Sequence, residues 1–429
     1  MRDFFVRKRQ ELVILFAMGL LYFFSFFQRV AVPGTVFDEL QTDFATSAST
    51  IAGLAAVFLY LYGGVQIGVG MLADRFGGRR TLLIGSTLMI IGSLGYPLSH
   101  TLPLLFAFRS LVALGGACIF IAIIKELDTL FDTRDFALLL SAVLFMGYSG
   151  GLAATFPLER AVHAVGWRAA LLTSGILSVL MLALAALLFH RTRLPHHRQG
   201  PSSISLSGIR TILALPDVWP VILTGAINFS IYFLFQASIG KKMLTDAGGY
   251  SSSTASGLFF AVMLLCVGFS SAAGFISRWI GNRRKPLITI GTGLMLLALL
   301  IMTGVPPYAS NPRALMIGLL LMGVAASASP IFSASMKEIC PASIAGTSVG
   351  ILNCISYLCI ALFTNGAGWV LDLFSSEAVR TATAVRYPPA AYRMVLIGCL
   401  GMAILSCLSS LRIRESRGQC IYRPQRDRA

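Results

Sequence analysis

Two arginines stand inside otherwise apolar stretches, Arg29 in YFFSFFQRVAV and Arg109 in LFAFRSLVALGG, and neither has an acidic residue within a helical turn. A guanidinium presents its N–H donors as a planar fork that matches carboxylate, sulfonate or phosphate. A charge placed in hydrocarbon is costly enough to be a functional hypothesis by default. The chemistry these residues point to is binding of an anionic group. For Arg29 the competing reading is snorkelling toward the outer interface. Polar and aromatic residues at helical spacing accompany them: Tyr22 and Gln28 near Arg29, then Tyr60, Tyr62 and Gln66. Later in the chain Asn228, Tyr232 and Gln236 recur every four residues, and Asn353 and Tyr357 do the same. Each alone is as well explained by a helix–helix hydrogen bond worth about 1 kcal/mol or less. As a set they outline a ligand-binding cavity.

Other chemistries lack their residues. The five histidines fall at the ends of apolar stretches or in loops, and no HExxH, GxSxG or phosphate-binding loop occurs, so no enzyme is expected. Six of the eight cysteines lie in apolar stretches, with no metal-ligand spacing. No metal and no cofactor is expected. The formal charge is +16, from 34 basic and 18 acidic residues. Its short basic runs lie between long apolar stretches, which reads as a topology signal rather than a nucleic-acid surface.

The elements that must carry these side chains are membrane spans. The 429 residues are 56% hydrophobic and only 12% charged. Mean hydropathy is +0.78, far from the balance of a water-soluble chain. Apolar stretches of the roughly 20 residues needed to cross hydrocarbon begin near Leu12, Ile51, Leu82, Leu102, Phe136, Ala169, Val218, Gly257, Leu287, Ala314, Thr347 and Met394. The spacing predicts an all-α integral membrane protein of twelve transmembrane helices. The first stretch is too long for the core of a cleaved signal peptide. With the N-terminus in the cytoplasm, 24 of the 34 basic residues fall on the inner side. Both termini are therefore predicted to be cytoplasmic, in a cell inner (plasma) membrane.

The chain also reads as a duplication. GMLADRFGGRR (Gly70 to Arg80) is echoed by GFISRWIGNRR (Gly274 to Arg284) at an offset of 204, and IKEL (124–127) by MKEI (336–339). A weaker pair is Phe27–Gln28 with Phe235–Gln236. The predicted organisation is a six-helix bundle over 1–190 and a cytoplasmic central loop over 191–216. A second bundle follows over 217–411, then a basic cytoplasmic tail over 412–429. Parallel repeats of this kind imply two bundles about one central site. In the central loop Leu206, Ile209, Ile212 and Leu213 form an apolar stripe that would lie on the inner membrane surface or belong to a flexible linker.

GMLADRFGGRR resembles the loop signature of the major facilitator superfamily, in the place where that family has it, between spans two and three. The resemblance implies two pseudo-symmetric six-helix bundles and a monomeric secondary transporter that works by alternating access. It implies a gating role for Gly70, Asp74, Arg75, Gly77, Arg79 and Arg80, which would hold the cytoplasmic side closed. In the second copy Arg278 stands where the acid should be, so the gate is lopsided. YFFSFFQRVAVPGTVFDEL, YLYGGVQIGVG and KEICPASIAGTSVGILN resemble a bacterial branch related to organic-anion (anion:cation symporter-like) carriers. That resemblance supports ligand contact by Arg29 and Arg109, since such carriers have arginines on spans one and four. It also supplies the alternative that Arg109 is the structural arginine common in span four. The expected partners are a small anionic molecule, a coupling proton or counter-anion, and membrane lipid. The alternative activity is proton-coupled efflux of amphipathic drugs or metabolites. Against it stand the missing Gly-Pro pair in GYSGGLAATFP and the lack of an acid near the centre of any span. A transporter-like receptor shares every motif.

Overall fold

The computed structural model describes residues 9–130, 133–191, 206–341, 345–381 and 384–422. It is almost wholly helical, and its contacts divide the chain into two units. One is Met1–Ser203 with Thr381–Val385; the other is Ile204–Arg380 with Arg386–Ala429.

In the first unit, span one is α1 (Arg9–Val30), a wide-turned π segment (Ala31–Thr35) and α2 (Phe37–Asp43). Pro33 explains the interruption: it lacks an N–H and pushes the residue before it out of the helical region, and Val32 is extended at φ −121°, ψ 123°. Span two is α3 (Ala48–Gly64) with α4 (Gln66–Phe76), and span three is α5 (Gly78–Gly95). Spans four to six are α6 (Leu102–Leu130), α7 (Thr133–Ala153) and α8 (Phe156–Arg191). The last begins well before Ala169 because it is two helices joined at Gly166, where φ is 80°.

The second unit opens with α9 (Leu206–Leu213). Span seven is α10 (Val218–Leu234), a π segment (Phe235–Ile239) and α11 (Gly240–Asp246). Then come α12 (Ser252–Trp279), α13 (Lys285–Gly304), α14 (Pro312–Ala326) running into α15 (Ser329–Ile339), α16 (Ala345–Leu373) and α17 (Pro389–Leu411). The interruption of span seven has no proline. Gly240 permits it: a Cβ there would lie 2.2 Å from the Phe235 carbonyl and 2.4 Å from the Phe259 ring. The two π segments start at Ala31 and Phe235, again 204 residues apart. The duplication therefore extends to the break in the first helix of each half.

Nine helices among the described residues are long and apolar enough to cross a membrane. With α3–α4, α5 and α7 they make twelve spans, six in each unit. Large apolar side chains such as Phe16, Ile84, Phe145, Ile290 and Leu362 stand more than half exposed, the inverted pattern of a surface solvated by lipid.

The apolar stripe of α9 differs from expectation. Ile212 is fully buried in a cluster with Ile331, Met336, Ile339, Cys340 and Ile413, and Ile209 and Leu213 pack against it. The stripe is covered by neighbouring helix ends of its own unit rather than by lipid or water, since folding onto a neighbouring apolar surface removes the same area from water without a separate anchor.

Candidate functional site

The break in span one organises the first unit's interior. Arg109, on α6, is 1% exposed. Its Nη1 donates to the Gln28 carbonyl at 2.8 Å and its Nη2 to the Val32 carbonyl at 2.5 Å, while Nε reaches the Leu54 carbonyl at 3.4 Å. The extended Val32 and the missing Pro33 N–H deprive this stretch of regular ladder bonds. Backbone broken at membrane depth must be re-satisfied by neighbouring groups, and Arg109 does so. Its guanidinium also lies over the Phe58 ring at 4.3 Å. This geometry favours the structural alternative for Arg109 over direct ligand contact.

Arg29 is placed differently. It is 3% exposed, and its guanidinium lies over two rings, Phe26 at 4.7 Å and Tyr62 at 4.3 Å. Aromatic faces attract a cation through their quadrupole. The same system continues outward. Tyr22 meets Phe26 edge-on at 6.0 Å and stacks on Phe120 at 5.3 Å, and Phe58 stacks on Tyr62 at 5.7 Å. Tyr22, Phe26, Arg29, Tyr62, Phe58 and Arg109 thus form one string of rings and cations. Among the described residues no carboxylate pairs with Arg109.

Of the other first-unit candidates, Gln28 donates to the Ser174 hydroxyl of α8 at 3.2 Å, a helix–helix tie. Tyr60 and Gln66 are half-buried on α3 and at the start of α4. In the second unit Asn228 donates to Ser406 Oγ at 2.6 Å and to the Thr224 carbonyl at 2.9 Å, which ties α10 to α17. Gln236, in the π segment of span seven, is 6% exposed. Its Nε2 meets Met263 Sδ at 3.7 Å, and its Oε1 has no hydrogen-bond partner among the described residues. Tyr232 is buried on α10. Tyr357 stands edge-on to Phe229 at 6.3 Å, and Asn353 is half-buried one turn earlier on α16.

The loop signature is tied to the other duplicated motif. Gly77 takes φ 82°, ψ 158°, a conformation essentially restricted to glycine, and so separates α4 from α5. Just beyond it Glu126 accepts from the Arg79 backbone N–H at 2.9 Å and from Arg79 Nε at 3.1 Å. In the second unit Arg284 Nη2 pairs with Glu338 at 2.8 Å. The backbone N–H groups of Arg284 and Lys285 donate instead to Glu415, at 2.8 and 3.1 Å. Ser416 Oγ donates to Glu338 at 2.5 Å, and the Ile421 N–H reaches the Glu338 carbonyl at 2.8 Å. One carboxylate does in the first unit what two do in the second. Arg75 and Arg80 are exposed, and Gly70 is half-buried on α4. The side chains of Asp74 and Arg278 lie outside the described residues.

Sequence reasoning missed a buried ion pair at the far end of span seven. Lys242 Nζ lies 3.3 Å from Asp246, both side chains essentially inaccessible. Asp246 also accepts from Tyr392 OH at 2.6 Å and from the Tyr387 N–H at 3.1 Å. Its counterpart at the end of α2 is Asp43, which accepts from Trp167 Nε1 at 2.8 Å and faces Arg168 at 3.6 Å. The four-residue spacing of Lys242 and Asp246 was the available signal.

Comparison with known proteins agrees with this architecture. A family described as Major Facilitator Superfamily matches residues 18–364. An uncharacterized MFS-type transporter, Rv1250, of Mycobacterium tuberculosis is 23% identical over 375 residues, and the match spans 76% of this chain and 63% of that protein's length. A chloramphenicol resistance protein of Pseudomonas aeruginosa is 23% identical, with 87% and 85% covered. The crystal structure of a bacterial homolog of the human lysosomal transporter Spinster superposes with a TM-score of 0.77 at 15% identity, over 97% of this chain and 99% of that one.

Proposed function

Because the chain belongs to the major facilitator superfamily, we propose that it is a secondary transporter that moves a small organic anion across the cell inner membrane by alternating access. The observation that carries this reading is the placement of Arg29. Its guanidinium is buried in an apolar helix and lies over the rings of Phe26 and Tyr62. A buried guanidinium attracts an anion, and the fork geometry of arginine suits a carboxylate, sulfonate or phosphate head. Arg109 serves this site by fixing the broken stretch of span one that follows Arg29.

In this reading the signature loop, Gly70 to Arg80 with Asp74, governs closure on the cytoplasmic side, where both termini lie. A coupling proton or counter-anion accompanies the substrate, and a monomer suffices. A ligand shifts the equilibrium between access states only through unequal contacts in them. Closure of the rings around a bound anion at Arg29 supplies such a difference.

The test is thermal unfolding of the detergent-purified protein against organic anions, sugars, amino acids and cationic drugs. A ligand that binds only the folded state adds about 2.7 kcal/mol at a hundredfold excess over Kd. The expected outcome is a shift with an anion that Arg29→Gln removes, followed by flux of that compound in liposomes. A second reading, efflux of amphipathic compounds, draws on the name of the chloramphenicol resistance protein. A shift with chloramphenicol or cationic amphiphiles and with no anion would replace the first reading by the second. Binding without flux would make the protein a receptor.

A further inference from the structure

Two of the eight cysteines stand outside the membrane-spanning helices. Cys118, Cys266, Cys354, Cys359, Cys399 and Cys407 lie within α6, α12, α16 and α17, whereas Cys340 caps the end of α15 and Cys420 follows α17. The chain after α17 folds back onto the end of span ten. Ile413, 1% exposed, belongs to the same apolar cluster as Ile339 and Cys340, and Ile421 packs against that cluster. Ser416 Oγ donates to the Glu338 carboxylate at 2.5 Å, and the Ile421 N–H donates to the Glu338 carbonyl at 2.8 Å. Between these two anchors the Cys420 thiol donates to the Cys340 carbonyl at 3.5 Å. A carbonyl oxygen lies about 2.4 Å from its own Cα, which puts Cys420 Sγ within about 6 Å of Cys340 Cα. The Cα atoms of a disulfide stand about 4.4–6.8 Å apart. Arg417 to Cys420 are exposed and outside any helix, so closing the remaining distance disturbs no buried core.

We propose that Cys340 and Cys420 form a reversible disulfide that fastens the chain after α17 to the end of span ten, whatever solute the protein carries. The oxidant is a small-molecule disulfide of the glutathione type. The exposed Cys420 thiolate attacks one sulfur of that disulfide, a mixed disulfide forms and one small thiolate leaves. The Cys340 thiolate then attacks the Cys420 sulfur, the protein S–S bond forms and the second small thiolate leaves. Two protein thiols are oxidised, one external disulfide is reduced, and the two protons released go to the two departing thiolates. The steps differ in rate. Burial raises the Cys340 thiol above the ordinary cysteine range; a hydrogen bond with Ser348 opposes this, and the neighbouring Cys420 thiol adds to it. Its thiolate is therefore scarce, and ring closure is the slower step.

The experiment treats the full-length, detergent-purified protein with glutathione disulfide, then counts free thiols and maps linked peptides by mass spectrometry. The expected result is a fall from eight free thiols by two, with one linked peptide pair that holds Cys340 and Cys420 and that dithiothreitol separates. The bond closes a stretch 80 residues apart in sequence, so it is expected to raise the unfolding midpoint, read by tryptophan fluorescence, by about 5 °C. Cys340→Ser is expected to stop at the glutathione adduct on Cys420, and Cys420→Ser to form no linked pair. A protein that keeps all eight thiols, or that stops at an adduct on Cys420 with Cys340 free, overturns the proposal. So does a bond between the Cys420 residues of two molecules, seen as a dimer on a non-reducing gel. Should either variant fail to fold, the linked peptides of the unmodified protein decide.

Discussion

Replacing Arg109 with methionine separates a structural clamp from a ligand-binding group. Methionine keeps the length and apolar bulk of the side chain but donates nothing. The Gln28 and Val32 carbonyls lose donors now at 2.8 and 2.5 Å; the 3.4 Å contact to Leu54 counts for little. Each buried acceptor left without a partner costs about 1–3 kcal/mol, so the two cost about 2–6 kcal/mol. Part of this is offset because a buried cation no longer has to be desolvated. A net loss of about 3 kcal/mol lowers the unfolding midpoint by about 6 °C at about 2 °C per kcal/mol. Arg109→Lys, which keeps the charge and reaches one carbonyl, recovers about half of that loss. The assay is a thiol-reactive fluorogenic dye during heating, because Cys118, Cys340 and Cys399 are buried free thiols that react on unfolding. A variant that melts within about 1 °C of the unmodified protein yet no longer responds to any anion would refute the clamp and restore Arg109 as a ligand.

Three further outcomes are expected from the same assay or from amide exchange. Asp246→Asn removes the carboxylate charge 3.3 Å from the buried Lys242 and costs about 3–5 kcal/mol; Asp43→Asn, at a side chain 41% exposed, costs below about 1 kcal/mol. Gly240→Ala drives a methyl into the Phe235 carbonyl and the Phe259 ring and costs about 2 kcal/mol or more. Gly401→Ala, with nothing within 4 Å of the new methyl, stays within about 0.5 kcal/mol of the parent. Glu415→Gln weakens the cap on α13 by about 1 kcal/mol and speeds exchange at the Arg284 and Lys285 amides without altering exchange at Arg79.

The spans and their number were legible because hydrocarbon imposes one length and one composition on every crossing helix. The 204-residue offset was legible in the loop signature, and the same offset proved to govern the π segments, which apolar sequence does not announce. Pro33 marked the first break; nothing in FQASI marks the second, which depends on how closely Gly240 approaches its own helix. Arg29 and Arg109 are indistinguishable by composition. Both lie over aromatic rings; what marks Arg109 is the set of backbone carbonyls on spans one and two that it reaches, and only the three-dimensional neighbours show it. Of the aromatics in YFFSFFQR the sequence singled out Tyr22 alone, yet Phe26 proves to be a partner of Arg29. The two duplicated motifs were visible separately, but their joining through Arg79–Glu126 and Arg284–Glu338 is tertiary.

The unequal sharing of carboxylates has a consequence for how the chain is made. In the first unit the bond from Glu126 to the Arg79 amide spans 47 residues. It can close as soon as α6 has left the ribosome. In the second unit Glu415 reaches back 131 residues to the Arg284 amide, so the start of α13 waits for this cap until all the remaining spans, the last ending at Leu411, have been made. A translation product that stops short of residue 415 would carry an intact first half and a second half whose Arg284 and Lys285 amides lack this cap. Membrane quality control could read that difference before any transport is attempted.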